Sequence, residues 1–445
     1  MALIFLFVLL VAALLRGYQL ATPSYWMDEG FSINTAQQFW QQFTWVRSPL
    51  YHSLLGLVGW ASHWNIWALR GLSVALGLLM IAAGYYAAKR WFNERTALWF
   101  SILLAVVSLE VAWSRQVRMY ILLQLCIWLA LYCYYQWRHH QLKWYWLVLF
   151  ILTTIGSHEF GWMVFLFIVW YECLQRFKVL YPLVVVGSLV VVYIGYHIVF
   201  PNAPYINYWW QYWHWMLTNY SLLLSLAALG IATHPQYSKL LNWLVIVWVG
   251  WVVCLSFIVP LLQYRYLFMT FPILLLLSAL GLHWLWKQHW AGRIIVCILL
   301  GIMIWQHTIT VIPQAFYPLE SDSVSSPFAY KSVTPQPNFQ AGYQFVHEYQ
   351  TEHPDTQVAT PYGELFRLYS GHDPDQLIFL NLTGGEYSDI PSDYNEASLA
   401  TGGTLLFVDE FAEWRMDPAW QELPKELLWE DRNEPWSIMR VYRIL

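Results

Sequence analysis

The segment Tyr25-Trp26-Met27-Asp28-Glu29-Gly30-Phe31-Ser32 places two adjacent carboxylates shortly after the first apolar run, residues 1–15. Acidic residues are scarce in this part of the chain: residues 1–312 hold six of the 27, and residues 313–445 hold the other 21 (27 − 6 = 21). This asymmetry predicts a long membrane domain followed by a soluble acidic tail. Asp28 and Glu29 are therefore candidates for the centre of a site, although a solvated loop pair or the charged first turn of a helix remains an alternative.

The composition supports a membrane protein. The chain of 445 residues is 58% hydrophobic and 11% charged, whereas soluble domains carry about 25% charged residues. The net charge of −4 comes from the acidic tail, so we expect no nucleic-acid partner. The five cysteines lie in apolar runs and predict neither a disulfide framework nor a metal site. The first run lacks a basic beginning, which favours a retained helix over a cleaved signal.

Eleven apolar runs are candidates for membrane-spanning helices. They lie at roughly 1–15, 66–88, 96–112, 119–137, 144–157, 160–175, 179–200, 216–233, 240–260, 265–286 and 293–312. With the N-terminus in the cytoplasm, the inner loops carry ten Lys or Arg residues and the outer loops six. The positive-inside rule supports this orientation, and an odd number of spans sends the tail outside.

The tail has the pattern of a small α/β domain. Residues 339–353 have helical spacing, residues 357–360, 404–408 and 437–442 favour strands, and residues 364–369 favour a short helix. The predicted fold class is therefore an all-α polytopic membrane domain of about 11 transmembrane helices with a small extracytoplasmic α/β domain. The predicted boundaries are 1–312 for the membrane domain, 313–337 for a linker and 338–445 for the α/β domain.

Further polar side chains map to the same predicted outer face as Asp28. They are Arg47, Tyr51 and His52 in the first outer loop, Arg115, Arg118 and Tyr120 in an outer hairpin, His158 and Glu159 after the fifth run, and Arg265 and Tyr266 at the tenth. Guanidinium groups pair well with phosphate, and on a helix Arg115 and Arg118 would share one face. Interfacial snorkelling, or a buried polar pair closing a hairpin, is the alternative for these groups.

Taken in order, these motifs resemble the C-type glycosyltransferase superfamily, near glycosyltransferase family 39. That group includes polyprenyl-phosphate-mannose protein mannosyltransferases and the lipid A aminoarabinose transferase. The resemblance covers roughly residues 1–275 and rests on Asp28-Glu29, Pro49-Leu50-Tyr51, Leu69-Arg70-Gly71-Leu72-Ser73 with Gly77, Arg115, Arg118-Met119-Tyr120, His158 and Arg265-Tyr266.

The resemblance implies an inverting transfer of a sugar from a polyprenyl-phosphate donor to a protein, lipid or glycan acceptor. It implies a site on the outer side of the inner or plasma membrane, with Asp28 as the general base and Glu29 beside it. The substrate-binding residues that it implies are Arg47, Tyr51, His52, Arg115, Arg118, Tyr120, His158, Glu159, Arg265 and Tyr266.

The resemblance leaves open whether a divalent cation is required, because the chain departs from the family pattern in two places. Ser48 stands where relatives often have a proline, and Val46 stands where some relatives carry a metal-binding acid. Glu159 is a candidate replacement for that acid. A lipid-linked sugar transporter and a structural membrane scaffold are the alternative functions.

Overall fold

The computed structural model describes residues 1–21, 27–42, 48–176, 207–257, 264–310, 339–354, 356–360, 377–379, 404–409, 424–432 and 438–445. These residues fall into two compact units. One contains residues 1–18 and the described residues from 48 to 310, and the other contains residues 19–21 and 27–42 and the described residues from 339 onward. Arg47, the predicted span at 179–200, the linker and the short helix at 364–369 lie outside the described residues. The boundaries assigned to the domains stay a prediction.

Helices dominate both the described membrane region and the start of the tail. In chain order they are α1 (Ala2–Gly17), α2 (Met27–Gln42), α3 (Pro49–Ser62), α4 (Ile66–Trp91), α5 (Glu94–Val106), α6 (Ser108–Trp113), α7 (Tyr120–Arg138), α8 (Trp144–Ser157), α9 (Trp162–Arg176), α10 (Trp209–Ala232), α11 (Ser238–Phe257), α12 (Phe271–Lys287), α13 (Trp290–Trp305) and α14 (Phe339–Glu352). Short 3-10 turns cover Glu159–Gly161, Pro235–Tyr237 and Tyr264–Thr270. Helices α2 and α14 belong to the second unit.

Four of the described helical segments are long and apolar enough to cross a membrane: Ile66–Trp91, Trp209–Ala232, Pro235–Phe257 and Arg265–Lys287. Helices α1, α8 and α13 are apolar but shorter. The predicted all-α membrane fold is confirmed, and the chain is an integral membrane protein. The number of eleven spans stays a prediction.

The predicted span at 96–112 is interrupted at Val107, which has an extended backbone between α5 and α6. The chain after α13 satisfies main-chain groups at this break. The N–H of Ser108 donates to the carbonyl of Thr308 (2.9 Å), and the N–H of Thr310 donates to the carbonyl of Val106 (2.7 Å). Because backbone groups away from water need hydrogen-bond partners, these bonds allow α6 to turn away from α5.

Helix α12 is buried continuously from Phe271 to Leu282 and packs closely against α10. Two glycines permit the close approach. A Cβ at Gly230 would collide with the carbonyl oxygen of Leu277, and a Cβ at Gly281 would collide with that of Leu226. Small residues at such crossings let helix backbones come together in membranes. The segment that carries Arg265 leads directly into this buried helix.

The tail folds as a small mixed sheet with a helix, as the sequence predicts. Its strands are β1 (Gln357–Thr360), β2 (Leu377–Phe379), β3 (Thr404–Asp409), β4 (Lys425–Arg432) and β5 (Ile438–Ile444), in the spatial order β2-β1-β3-β5-β4. Strand β1 is parallel to β2 and β3, and the pairs β3–β5 and β4–β5 are antiparallel. Helix α14 packs on the sheet through Tyr343 against Phe407 and Phe345 against Trp429. Strands β2 and β4 were not predicted.

Candidate active site

Two buried arginines lie against the ring of Tyr120 at the start of α7. The guanidinium carbons of Arg118 and Arg265 lie 5.3 and 5.6 Å from the centre of that ring, and Arg118 Nη2 donates to the Tyr120 hydroxyl at 3.3 Å. Arg118 is 7% exposed, Arg265 9% and Tyr120 1%. The ring faces attract cations, so Tyr120 helps to hold two like charges within one small region. These three predicted site residues do come together.

Arg115 is held differently, and the expectation that it shares a helical face with Arg118 is wrong. Residues 114–119 form turns, with the N–H of Arg118 donating to the carbonyl of Gln116. Arg115 Nη2 donates to the carbonyl of Tyr18 at 2.7 Å. Burial, followed by the nearby charge of Arg70, lowers the pKa of Arg115 to about 10. Arg115 and Arg70 therefore form a second pair of buried cations beside the same loop.

Aromatic rings and a histidine surround Tyr120. The ring of His158 lies 6.1 Å from it and the ring of Tyr266 also 6.1 Å. His158 Nδ1 accepts the N–H of Phe160 at 3.1 Å, which places the proton of the neutral imidazole on Nε2. His158 is buried, whereas its neighbour Glu159 is exposed. The pair predicted at 158–159 is therefore divided between the interior and the surface.

His52 is a neutral, buried histidine near Arg118. Its Nδ1 lies 2.9 Å from the carbonyl of Ser48, one turn earlier in α3, and the side chain is 3% exposed. Burial lowers the pKa of His52 to about 4, and the positive charge of Arg118 contributes. Nδ1 must donate to that carbonyl, so Nε2 carries a lone pair, for which the described residues supply no donor. Tyr51, beside it, is fully buried.

Asp28 and Glu29 occupy the first turn of α2, in the second compact unit. Glu29 is 1% exposed and Asp28 is partly buried, and the Ser32 hydroxyl donates to the Asp28 carbonyl at 2.9 Å. Acidic side chains in a first turn are stabilised by the helix dipole. The structural alternative foreseen for this pair, a helix start, is therefore correct, and a catalytic role stays a prediction.

The first compact unit also contains four polar residues that the sequence did not predict as site residues: Arg16, Arg70, Glu110 and Gln124. Arg16 follows the predicted first run, residues 1–15, but lies in the last turn of α1. It is 1% exposed and donates to the carbonyls of Leu104 and Ala105. The resemblance leaves open whether a divalent cation binds. Among the described residues, no three His, Cys, Asp or Glu side chains lie close enough together to hold a metal ion.

Comparisons with known proteins give one family and several related structures. Residues 47–200 match a family described as dolichyl-phosphate-mannose-protein mannosyltransferase. No curated protein sequence matches the chain. ArnT from Cupriavidus metallidurans in the apo state is similar, with a TM-score of 0.60 and 12% identity over 99% of this chain and 97% of that one.

Two further structures contain lipid phosphates. ArnT from the same organism bound to undecaprenyl phosphate gives a TM-score of 0.51 at 14% identity, over 99% of this chain and 97% of that one. The oligosaccharyltransferase AglB from Archaeoglobus fulgidus, in complex with an inhibitory peptide and a dolichol-phosphate, gives 0.56 at 12% identity over 95% and 72%. The resemblance to the C-type glycosyltransferases is confirmed by the family match and the shared fold, and these neighbours are glycosyltransferases.

Proposed function

We propose that this chain transfers a sugar from a polyprenyl-phosphate donor to an acceptor, with inversion at the sugar carbon. The observation that carries the proposal is the placement of Arg118 and Arg265 against one tyrosine ring, with Arg115 in the adjoining loop. When the sugar leaves, negative charge grows on the lipid phosphate. Fixed cations in a water-poor site stabilise that charge without reorganising during the reaction.

The arginines would act as a cradle for the leaving phosphate. Guanidinium groups offer planar pairs of N–H donors that match phosphate oxygens. Burying cations is unfavourable in a folded protein, and burial, followed by the charge of Arg70, lowers the pKa of Arg115. Like charges that are buried together also repel one another. An anionic ligand would offset this repulsion. Arg47, although outside the described residues, remains a proposed fourth member of the cradle.

Asp28 is the proposed general base. It would take the proton of the acceptor hydroxyl as that oxygen attacks the sugar carbon, while the bond to the phosphate breaks on the opposite side. Glu29 would keep the local charge negative. His52, Tyr51, His158, Glu159 and Tyr266 would contact the sugar or the acceptor. We place the site on the outer side of the inner or plasma membrane, where a protein, a lipid or a glycan is the acceptor.

The test compares envelope lipids and glycoproteins by mass spectrometry in cells carrying wild-type protein and Asp28→Asn, with equal protein levels. We expect the wild type alone to add one sugar-sized increment to a defined molecule. Asn34→Asp, on the same helix α2, is a control that alters charge without touching the proposed base. Full transfer by Asp28→Asn would show that the assignment of the base is wrong. Redistribution of intact lipid-linked sugar between leaflets, without transfer, would support the transporter instead.

A further inference from the structure

A buried glutamine, Gln124, links the two segments that carry Arg118 and Arg265. Its amide nitrogen donates to Glu110 Oε1 at 3.1 Å and to the carbonyl oxygen of Phe268 at 2.7 Å. Glu110 lies in α6, just before the loop that holds Arg118, and Phe268 lies in the 3-10 turn that holds Arg265. One amide group therefore joins two segments that are far apart in the chain.

The orientation of this amide follows from its neighbours. A carboxylate and a main-chain carbonyl are both acceptors, so both N–H bonds of the amide point at them. The amide oxygen, Gln124 Oε1, is buried without a partner among the described residues. A buried acceptor without a partner costs free energy, and here the two donated bonds compensate for it. The link is therefore directional, and an apolar side chain would supply neither of its two donated bonds.

Glu110 is itself held from the other side. It is 2% exposed and interacts electrostatically with Arg16, which donates to the carbonyls that end α5. Its own carbonyl accepts the hydroxyl of Ser114, the residue before Arg115, at 2.6 Å. Glycine at position 77 leaves room for this arrangement, because a Cβ there would lie 2.7 Å from the Ser114 Cβ. Helix α6 is thus held near its middle, at Glu110, and packed closely against Gly77 just after its end, at Ser114.

Gln124 and Tyr120 lie four residues apart in α7 and so point to the same side of the helix, one turn apart. At the first level, the ring of Tyr120 lies against both Arg118 and Arg265. One turn further along α7, the amide of Gln124 holds the Glu110 side chain and the Phe268 carbonyl. Both levels join the same two segments.

We propose that Gln124, held by Glu110, is a positioning residue that sets the separation of Arg118 and Arg265 for one lipid phosphate. The inference rests on the proposed function. Gln124 does not touch the phosphate in this arrangement, and acts through the Glu110 side chain and the Phe268 carbonyl. Because recognition of a phosphate by two guanidinium groups depends on their separation, displacement by about 1 Å is enough to weaken it strongly.

The experiment measures binding of undecaprenyl phosphate to purified full-length protein in lipid nanodiscs by native mass spectrometry. The variant is Gln124→Met, which keeps the length of the side chain and removes both donors. Gln136→Met is the matched control, because Gln136 is also buried in α7, 12 residues further along. We expect about tenfold weaker binding for Gln124→Met and unchanged binding for Gln136→Met. Thermal unfolding of both variants reports their loss of stability separately.

A second variant provides the test if Gln124→Met does not fold. The double substitution Glu110→Gln with Gln124→Glu keeps one amide and one carboxylate in contact, but turns an acceptor towards the Phe268 carbonyl. It should also bind the lipid phosphate about tenfold more weakly. If Gln124→Met or the double variant binds as the wild type does, the inference is wrong while the proposed function stands. If the wild type does not bind undecaprenyl phosphate, the proposed function fails and the inference with it.

Discussion

Acidification should destabilise this protein through His52. The imidazole is 3% exposed and near Arg118, and its pKa of about 4 lies well below the ordinary value of 6.5. The unfolded chain therefore takes up a proton at a higher pH than the folded one does. The contribution of a neutral His52 to stability is complete above pH 6.5, and it is lost as the pH falls from 6.5 towards 4.

The magnitude follows from the two pKa values. Each unit of pKa difference corresponds to about 1.4 kcal/mol, so the complete effect is about 3 kcal/mol, of which about 2 kcal/mol is lost at pH 5. His52→Asn removes the titration and keeps a donor near the position of Nδ1, which bonds to the Ser48 carbonyl. The difference in stability between wild type and variant should therefore change by about 2 kcal/mol between pH 7 and pH 5.

The assay is denaturant unfolding in detergent micelles, followed by tryptophan fluorescence at pH 7, 6 and 5. The control is His63→Asn, because His63 is exposed at the C-terminus of the same helix and has a left-handed backbone that asparagine tolerates. We expect His63→Asn to lose stability with acid as the wild type does. Equal acid sensitivity of wild type and His52→Asn would refute the reasoning, since the titrating group would then lie elsewhere.

Two further predictions concern packing and the arginine pair. Gly281→Ala should destabilise the protein by about 1–3 kcal/mol, because the new Cβ collides with the carbonyl of Leu226. The measurement is thermal unfolding, with Gly301→Ala as the control because no atom lies within 4 Å of the Cβ that would be added there. Equal melting temperatures of the two variants would contradict the prediction. Tyr120→Phe should keep most of the affinity for undecaprenyl phosphate because the ring remains, whereas Tyr120→Leu should lower that affinity about tenfold. The measurement is a binding titration, and equal affinities of the Phe and Leu variants would exclude a role for the ring.

Local sequence patterns predict the helices and the individual arginines, whereas the prediction that the arginines share a site rests on their common outer face and on the family resemblance. Arg118 and Tyr120 are adjacent in one motif, whereas Arg265 comes from a segment far along the chain. Their common contact depends on how α7 and α12 are placed, which no local period encodes. The conformation of residues 114–119 was also missed, because three-residue spacing fits a helix and a tight turn equally well.

Glu110, at the centre of the polar link, carries a signal of its own in the sequence. Glu110 is one of six acidic residues in the first 312 and falls inside a predicted span. Ionisable groups within spans are expensive and mark functional or structural partners. That rule identifies the carboxylate as important. Its partner Gln124 carries a weaker signal, because a neutral amide costs less to bury in an apolar helix than an ionised group does.

The buried guanidinium of Arg16 has a consequence for the order of assembly during synthesis. Besides the Ala12 carbonyl in α1 itself, its main-chain acceptors lie 88 and 89 residues later in the chain, so α1 is made long before those two exist. A guanidinium group near the end of a newly inserted apolar helix is unfavourable within the hydrocarbon region of the membrane, unless it reaches the water interface. We therefore expect α1 to stay at the insertion machinery, or to keep Arg16 at the water interface, until α5 emerges and takes up the charge. The biogenesis of this membrane region would then proceed through a late docking of its first helix.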